Sequence, residues 1–450
     1  MHIFSSHLRK VSFIGVLALF GLILASVIPL AARAAGDEPS SQVFLAVQFG
    51  PYDRAVRSVS FSGSITGLEA LLQSGLQVET VTYSGLGTAV CSIEGVGCPA
   101  SNCFCDPNNF WNYEYWDGSQ WQGHLQGAGD TPRNDGDVDG WRWGEWNGSA
   151  IPPWGKLLQA WESLGWLRTR QQADGGFGSM GSSIESALAL GANHERAQDW
   201  VQTGSSTSLE DYLLANADAY SQQNAASAGK LAVALTRSDV SYPDTALEPM
   251  DYYDAITGII GEGAGPQSWA ILGTVALSQT VPTDAIDYLK NLALSSGGWE
   301  WSPGWGADTN TTSLAIRALI AVGESPSLPE IQSAISFLQE AQNMNGGFPY
   351  DPQSMWGTDS DANSTAYVLQ ALYALEEDPY SAEWRDSVPT ALDFLDCRRL
   401  TDGSFEWMAG SGSNIFATQQ AIPALFGRPV PSSPHPVTIC SVLFSPILSK

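Results

Sequence analysis

Three stretches of the sequence carry residue types that do chemistry. The first is a set of loops, "WEWSPGWGADTN", "FPYDPQSMWGTDSDAN" and "FEWMAGSGSN", which set Trp301, Trp305, Tyr350, Trp356 and Trp407 beside Asp308, Asn310, Asp359, Asp361, Asn363 and Asn414. Flat aromatic walls with a few fixed polar contacts are what a sizeable organic ligand needs, and with 17 Trp in the chain the same surfaces also suit stacking on sugar rings. Asp308 and Asp361, each just ahead of a helix rich in small residues, equally suit N-caps, where a carboxylate accepts from free backbone N–H groups. The second stretch, "DGDVDG", has Asp135, Asp137 and Asp139 at the spacing that opens an EF-hand-type calcium loop. Against calcium, its twelfth position is Trp146, with Glu145 one place early, and no flanking helices are evident. The third, "CSIEGVGCPASNCFCD", crowds Cys91, Cys98, Cys103 and Cys105 together.

What those residues do depends on where the chain resides. His7, Arg9 and Lys10 precede an apolar run from Val11 to Ala32, closed by Ala32-Arg33-Ala34, the pattern of a secretory signal over residues 1–34 with a small-residue cleavage site. Left uncleaved, a run of about 20 apolar residues would tether the protein to a membrane. Either way the rest of the chain is expected outside the cytoplasm, where four clustered cysteines read as disulfides rather than a zinc site. Their connectivity stays open, and Cys397 and Cys440 are left either paired with each other or free. With 47 acidic against 20 basic residues and a net charge of −27, the protein repels phosphate backbones, which excludes nucleic acid as a partner.

The elements that must hold these residues change character along the chain. Over residues 42–146, "QVFLAVQF" alternates as a strand, "SVSFSGSITGLEALLQSGLQVETV" sets one short helix between β-like runs, and "FWNYEYWDGSQWQG" is two aromatic strands about an Asp-Gly turn. This predicts a small, mostly β, α+β domain clipped by disulfides. After a linker at 147–154 the period becomes helical and the sequence repeats from 155 to 428, ahead of a tail at 429–450. Helices ending in Gly-Gly-aromatic or a close relative ("RQQADGGFG", "LALSSGGWEW", "AQNMNGGFPY", "CRRLTDGSFEW") each lead through a loop to a second helix, "SSIESALAL", "DTNTTSLAIRAL", "DANSTAYVLQAL" and "SNIFATQQAIPAL". Two less regular pairs, "SLEDYLLANADAY" with "AGKLAVALT" and "YYDAITGII" with "GPQSWAILGTVAL", bring the total to six, enough to close a ring of helical hairpins. Phe177, Trp299, Phe348 and Phe405 are expected to pack back on the helix ends that the glycines terminate.

The aromatic-Leu-x3-Gln and Gly-Gly-aromatic elements of "FLQEAQNMNGGF", with their partial copies, resemble the QW-type repeat of the prenyltransferase and squalene-cyclase superfamily. That resemblance implies a multidomain, mainly α protein built on an α6/α6 toroid. It leaves the chemistry open, because one fold serves many functions. Protonating terpene cyclases carry Asp-x-Asp-Asp-Thr-Ala at the head of an inner helix, and a carboxylic acid kept protonated in apolar surroundings is what alkene protonation needs. Here the matching stretch is "DANSTA", with Asn363 and Ser364 where the acids would stand. Asp359-x-Asp361 is two residues early, so those two are the catalytic candidates if the chain is a cyclase. The zinc set of protein prenyltransferases is not matched, with His194 alone in the helical region and far in sequence from Cys397, and "GEGAGPQ" lacks the cysteine of a thioester.

The first domain resembles, through "TGLEALLQSGL", "FWNYEYWDGSQW" and "GDVDGWRWG", the small β domain of the transcobalamin and intrinsic-factor family, although here it comes first and carries the inserted cysteine cluster. In that family the same two domains sandwich a corrinoid, and together the resemblances imply a secreted or surface-tethered, non-catalytic protein that captures an organic ligand, a corrinoid being the candidate, at the toroid mouth. The ligand contacts would be Trp301, Trp305, Asp308, Asn310, Tyr350, Trp356, Asp359, Asp361, Asn363 and Trp407. The alternatives are an enzyme of the cyclase or prenyltransferase kind acting on an isoprenoid, and a glycan-binding protein. No metal is expected beyond the calcium candidate.

Overall fold

The structure, a computed structural model, describes residues 40–148, 151–355, 357–384 and 389–427. The expected signal over 1–34 and the tail at 429–450 lie outside the described residues. From Ser41 onward the described residues form one compact unit, built from a strand-rich part and a helical ring.

The strand-rich part holds β1 (Ser41–Gly50), β2 (Asp53–Phe61), β3 (Ile65–Thr66), helix α1 (Gly67–Gln73), β4 (Val78–Tyr83), β5 (Gly87–Ile93), β6 (Val96–Gly97), β7 (Phe110–Trp116), β8 (Trp121–Gly123), β9 (Pro132–Arg133) and β10 (Val138–Gly144). The main sheet runs β2-β1-β10-β7-β8, with β1 and β10 parallel and the other pairs antiparallel. Strand β1 is buried on both faces, and the alternation of side chains sorts its residues. Val43, Leu45 and Val47 enter the domain's own core with Leu71 and Trp141, while Ala46 joins the core of the helical ring and Phe44 packs on Trp154 and Trp161 of that ring. The sheet is therefore docked by its second face. The residues expected as a linker share in this: Ile151 is buried in the common core, and Trp121 Nε1 donates to the Pro152 carbonyl at 2.8 Å.

Strands β4, β5 and β6 form a separate small sheet, clipped by disulfides Cys91–Cys103 and Cys98–Cys105. The cluster is thus disulfide-bonded, as its compartment reading implied. Cys397 is disulfide-bonded as well, and Cys440 lies outside the described residues.

The helical ring begins with α2 (Trp154–Arg168) and α3 (Met180–Gly191), followed by α4 (Leu209–Ser221), α5 (Ala225–Arg237), α6 (Ala264–Ala276), α7 (Thr283–Asn291), α8 (Thr309–Ala321), α9 (Pro329–Ala341), α10 (Ala362–Ala374), α11 (Ala391–Asp396) and α12 (Ile415–Phe426). Contacts run α3 to α5, α5 to α6, α6 to α8, α8 to α10, α10 to α12 and α12 back to α3, so these six are the inner ring of an α6/α6 toroid. Helices α2, α4, α7, α9 and α11 lie outside. One outer helix predicted from the pattern does not form: "YYDAITGII" starts on the last residue of a 3-10 turn, Pro249–Tyr252, and continues in turns. Asp254 explains part of this, since its carboxylate accepts from Ile256 N–H and the Thr257 hydroxyl, a local turn that competes with helix.

The repeats have a common lock. The N–H of Phe177, Trp299, Phe348 and Phe405 donates to Ser183, Thr312, Thr365 and Thr418 respectively, each in the first turns of the following inner helix, at 2.9–3.0 Å. All four aromatic rings are buried, as expected for packing residues. Gly346 holds φ +83°, and a Cβ there would meet the Pro389 carbonyl oxygen at 2.2 Å, so the turn admits glycine alone.

Candidate functional site

The inner helices start at one mouth of the ring and end at the other, and the residues expected to bind ligand sit at the starting mouth. There Asp308 and Asp361 are N-caps: Asp308 accepts from Thr311 N–H at 2.7 Å, and Asp361 accepts from Ser364 N–H at 2.9 Å and its hydroxyl at 2.8 Å. Both are buried. Burial lifts Asp308 to about 6 against the pull of its hydrogen bonds from Thr311 and Tyr350, and it raises Asp361 in the same way, against bonds from Ser364 and Trp407. Asn414 caps α12 through Ala417 N–H, and Asn310 lies within reach of the Thr309 hydroxyl at 3.4 Å.

The aromatic residues of this mouth divide among different places. Trp301 packs on Gly265 and on the apolar cluster of Val233, Trp269 and Leu314 inside the ring. Trp305 is 70% exposed, Tyr350 and Trp407 are partly exposed, Asp359 is exposed, and Trp356 lies outside the described residues. The set expected as one binding wall is therefore split between caps, interior packing and the outer surface.

Asn363, in the first turn of α10, opens a chain of hydrogen bonds across four inner helices. Its Nδ2 donates to Gln420 Oε1 at 2.6 Å, Gln420 Nε2 donates to Glu185 Oε1 at 3.2 Å, and Lys230 Nζ donates to the same oxygen at 2.5 Å. Lys230 also lies 5.1 Å from the centre of the Trp269 ring. Burial opposes the Lys230 charge, yet the Glu185 carboxylate more than offsets this and the net shift is upward. A small space beside this network, about 20 Å³ among residues such as Glu185, Trp269, Tyr367 and Gln420, has room for about one water.

At the opposite mouth the ring opens into a cavity of about 640 Å³ that adjoins this interior, a size typical of small-molecule sites. One wall is apolar, with Leu272, Ile320, Pro423 and Phe426, and another is the turn between β1 and β2. That turn is pinned over the ring. Tyr52 stacks on Tyr373 at 5.3 Å, Asp53 Oδ1 accepts from His194 Nε2 at 2.6 Å, and Arg54 donates to the Phe426 carbonyl at 2.7 Å. A second, polar groove of about 460 Å³ adjoins it and shares Arg237, His194 and Thr236.

Arg237 and Arg317 both line the large cavity and the ring interior. Arg237 ends α5 and is open to the cavity, and Arg317 is half-buried on α8. Burial lowers Arg317 to about 10, with the Arg237 charge adding to the shift and Tyr367 and Glu185 opposing it. Sequence reasoning missed this pair although a signal was present. The six inner helices hold four charged residues, Glu185, Lys230, Arg237 and Arg317; a charge in an otherwise apolar inner helix points inward.

The calcium candidate is corrected by its partners. Asp135 accepts from Gln42 N–H, and Asp137 accepts from Asn134 N–H and pairs with Arg133. Asp139, fully buried, binds Arg133, His124 and the Tyr113 hydroxyl. The three carboxylates are each engaged at home, and no group of His, Cys, Asp or Glu among the described residues is arranged to hold a metal ion. Nor, among those residues, is any helix long and apolar enough to cross a membrane.

Residues 266–426 match the family model of the Prenyltransferase alpha-alpha toroid domain. No curated protein sequence matches the chain. Among solved structures, the chain is similar to the type II terpene cyclase MstE from Scytonema, at 14% identity over 61% of this chain and 98% of that one, with a TM-score of 0.45. The ent-copalyl diphosphate synthase from Streptomyces platensis shares 14% identity over 55% and 50% of the two chains, with a TM-score of 0.37. The Candida albicans protein geranylgeranyltransferase-I complexed with GGPP shares 13% identity over 61% and 86%, with a TM-score of 0.35.

The reading as a non-catalytic corrinoid carrier is overturned. The family match is to the prenyltransferase toroid and covers residues 266–426, none of the first domain. The geometry agrees, because the strand-rich part docks at the ends of the inner helices through Tyr373, His194 and Phe426. The aromatic loops expected to hold the corrinoid lie at the other mouth, so the two parts cannot sandwich a ligand there.

Proposed function

We propose that this chain takes an isoprenoid as its ligand, in the cavity at the mouth where the inner helices end. The observation that carries the reading is the cavity itself, about 640 Å³ with an apolar wall that includes Leu272, Ile320 and Phe426, in a chain whose toroid matches the prenyltransferase domain. A flexible hydrocarbon is held by area rather than by hydrogen bonds, at roughly 25 cal/mol per Å² removed from water, and this wall offers such area. The space beside the Lys230 and Glu185 network, about 20 Å³, has no room for a folded chain. The residues facing this cavity bind and orient; Asp53, the carboxylate among them, is held by His194. Placement outside the cytoplasm belongs to the same reading, supported by two disulfides in the β4–β6 sheet.

The test is calorimetric titration of the protein with geranylgeraniol in mild detergent. One-to-one binding, lost in Ile320→Trp because the indole fills the cavity, is the expected result. Absence of binding up to the solubility limit, or binding indifferent to that substitution, would sink the reading. Release of diphosphate from geranylgeranyl diphosphate, followed in parallel, reports whether turnover accompanies binding.

A further inference from the structure

Arg237 and Arg317 have no hydrogen bond or ion pair with any described residue. Buried or partly buried cations elsewhere in the chain have found acceptors: Lys230 in Glu185, Arg398 in Glu406, Arg142 in Glu114, and Arg54 in carbonyl groups. Setting two guanidiniums on one cavity without acceptors is unfavourable, since each repels the other and the half-buried Arg317 also loses hydration. The arrangement makes sense for a site that is completed by a ligand bringing its own negative charge.

Resting on the isoprenoid reading of the cavity, we infer that Arg237 and Arg317 form a binding site for the multivalent oxyanion head of the ligand, a phosphate or diphosphate ester. Two cations call for at least two negative charges. Guanidinium suits phosphate because its planar fork donates two parallel hydrogen bonds. Placement also fits an amphiphile: the arginines stand where the cavity narrows into the ring interior, and the apolar wall of Ile320, Leu272 and Phe426 leads away from them. The neighbouring carboxylates do not compete for the pair, because Glu185 is bound by Lys230 and Gln420 and Asp53 is held by His194. The site lies at the end of the ring opposite Asp308 and Asp361, so it is separate from the acids at the starting mouth.

The experiment compares inorganic diphosphate, geranylgeraniol and geranylgeranyl diphosphate on the wild-type protein and on Arg237→Gln, Arg317→Gln and Arg317→Lys. Inorganic diphosphate is expected to bind one-to-one, and each Gln variant to weaken it by about tenfold or more, the loss of one charge-assisted contact, with Arg317→Lys intermediate. The Gln variants are also expected to melt at an equal or higher temperature in the absence of ligand, because they remove an unpaired charge; a purely structural role would lower it. On the wild type the prenyl diphosphate should bind at least tenfold more tightly than the alcohol, an advantage that Arg317→Gln abolishes. Failure of inorganic diphosphate to bind, or binding untouched by both Gln variants, would overturn the assignment while leaving alcohol binding to speak for the isoprenoid reading. Diphosphate binding that depends on the arginines, with no binding of the alcohol, would uphold the anion site and remove the isoprenoid.

Discussion

Lys230 Nζ and Glu185 Oε1 meet at 2.5 Å inside the helical ring, joining α5 to α3, with 19% and 8% of the two side chains exposed. Each charge is there at the expense of its hydration, and the pair together is close to neutral in its effect on stability. Breaking it is another matter, because the survivor is left without a counter-charge. Lys230→Met is expected to destabilise the fold by about 3–5 kcal/mol, read from the urea midpoint at an unchanged denaturant slope. Adding Glu185→Leu to that variant should restore most of the loss. A double variant no more stable than Lys230→Met alone would show that Glu185 is held mainly by Gln420, and that the lysine is not what compensates it.

The sequence made the ring legible and the site illegible for related reasons. Repetition is a local signal. The Gly-Gly-aromatic turn and the Ser or Thr that pins it lie within 6–17 residues of one another, so each hairpin is written in one stretch and the six-fold count follows. Where a local interaction competes, as Asp254 does in the third hairpin, the pattern misleads. The cavity, by contrast, is assembled from the β1–β2 turn and the far ends of several inner helices, residues as distant as Tyr52 and Phe426. No stretch of sequence contains it. Aromatic loops drew the expectation to the starting mouth because Trp and Asp are conspicuous there, yet Asp308 and Asp361 serve the backbone, as their position ahead of a helix equally implied. Arg317 sits in "TTSLAIRALIA", where helical spacing and the absence of any other charge mark it as inward-facing only after the ring is known to close.

Asp308 is a cap whose burial works against it. Its folded pKa, raised by burial to about 6, stands above the value of the unfolded chain. Between about pH 4 and pH 6 the folded state therefore binds more protons than the unfolded one, and this residue's contribution to stability falls as pH rises through that window. The penalty is complete above pH 6 and amounts to at most about 3 kcal/mol. Asparagine caps a helix as well as aspartate does and carries no charge to desolvate. Asp308→Asn is thus expected to stabilise the protein at pH 7 by about 1–3 kcal/mol and to have little effect at pH 4. Guanidinium unfolding at the two pH values checks this, and an equal effect at both would show that the carboxylate is not the source.

Gly229 of α5 and Gly273 of α6 let these two inner helices approach more closely than side chains permit. A Cβ on Gly229 would stand 2.1 Å from the Trp269 carbonyl oxygen, and one on Gly273 would stand 2.4 Å from the Gly229 Cα. Both obstacles are backbone, which cannot rotate away, so relief requires the helices to separate and the ring to widen. Gly229→Ala is expected to cost about 1–3 kcal/mol, the usual range for overpacking a close contact. Gly165 in outer helix α2 provides the control, since its Cβ would meet nothing within 4 Å, and Ala there should stabilise by about 0.5–1 kcal/mol through the helix preference alone. Because α5 carries both Lys230 and Arg237, a shift of α5 also moves the ring interior and its mouth. Gly229→Ala should therefore weaken diphosphate binding as well as stability, whereas Gly165→Ala should leave binding unchanged. Equal melting shifts in the two variants would show that the helices have slack at this crossing, and that the glycine pair does not set the diameter of the ring.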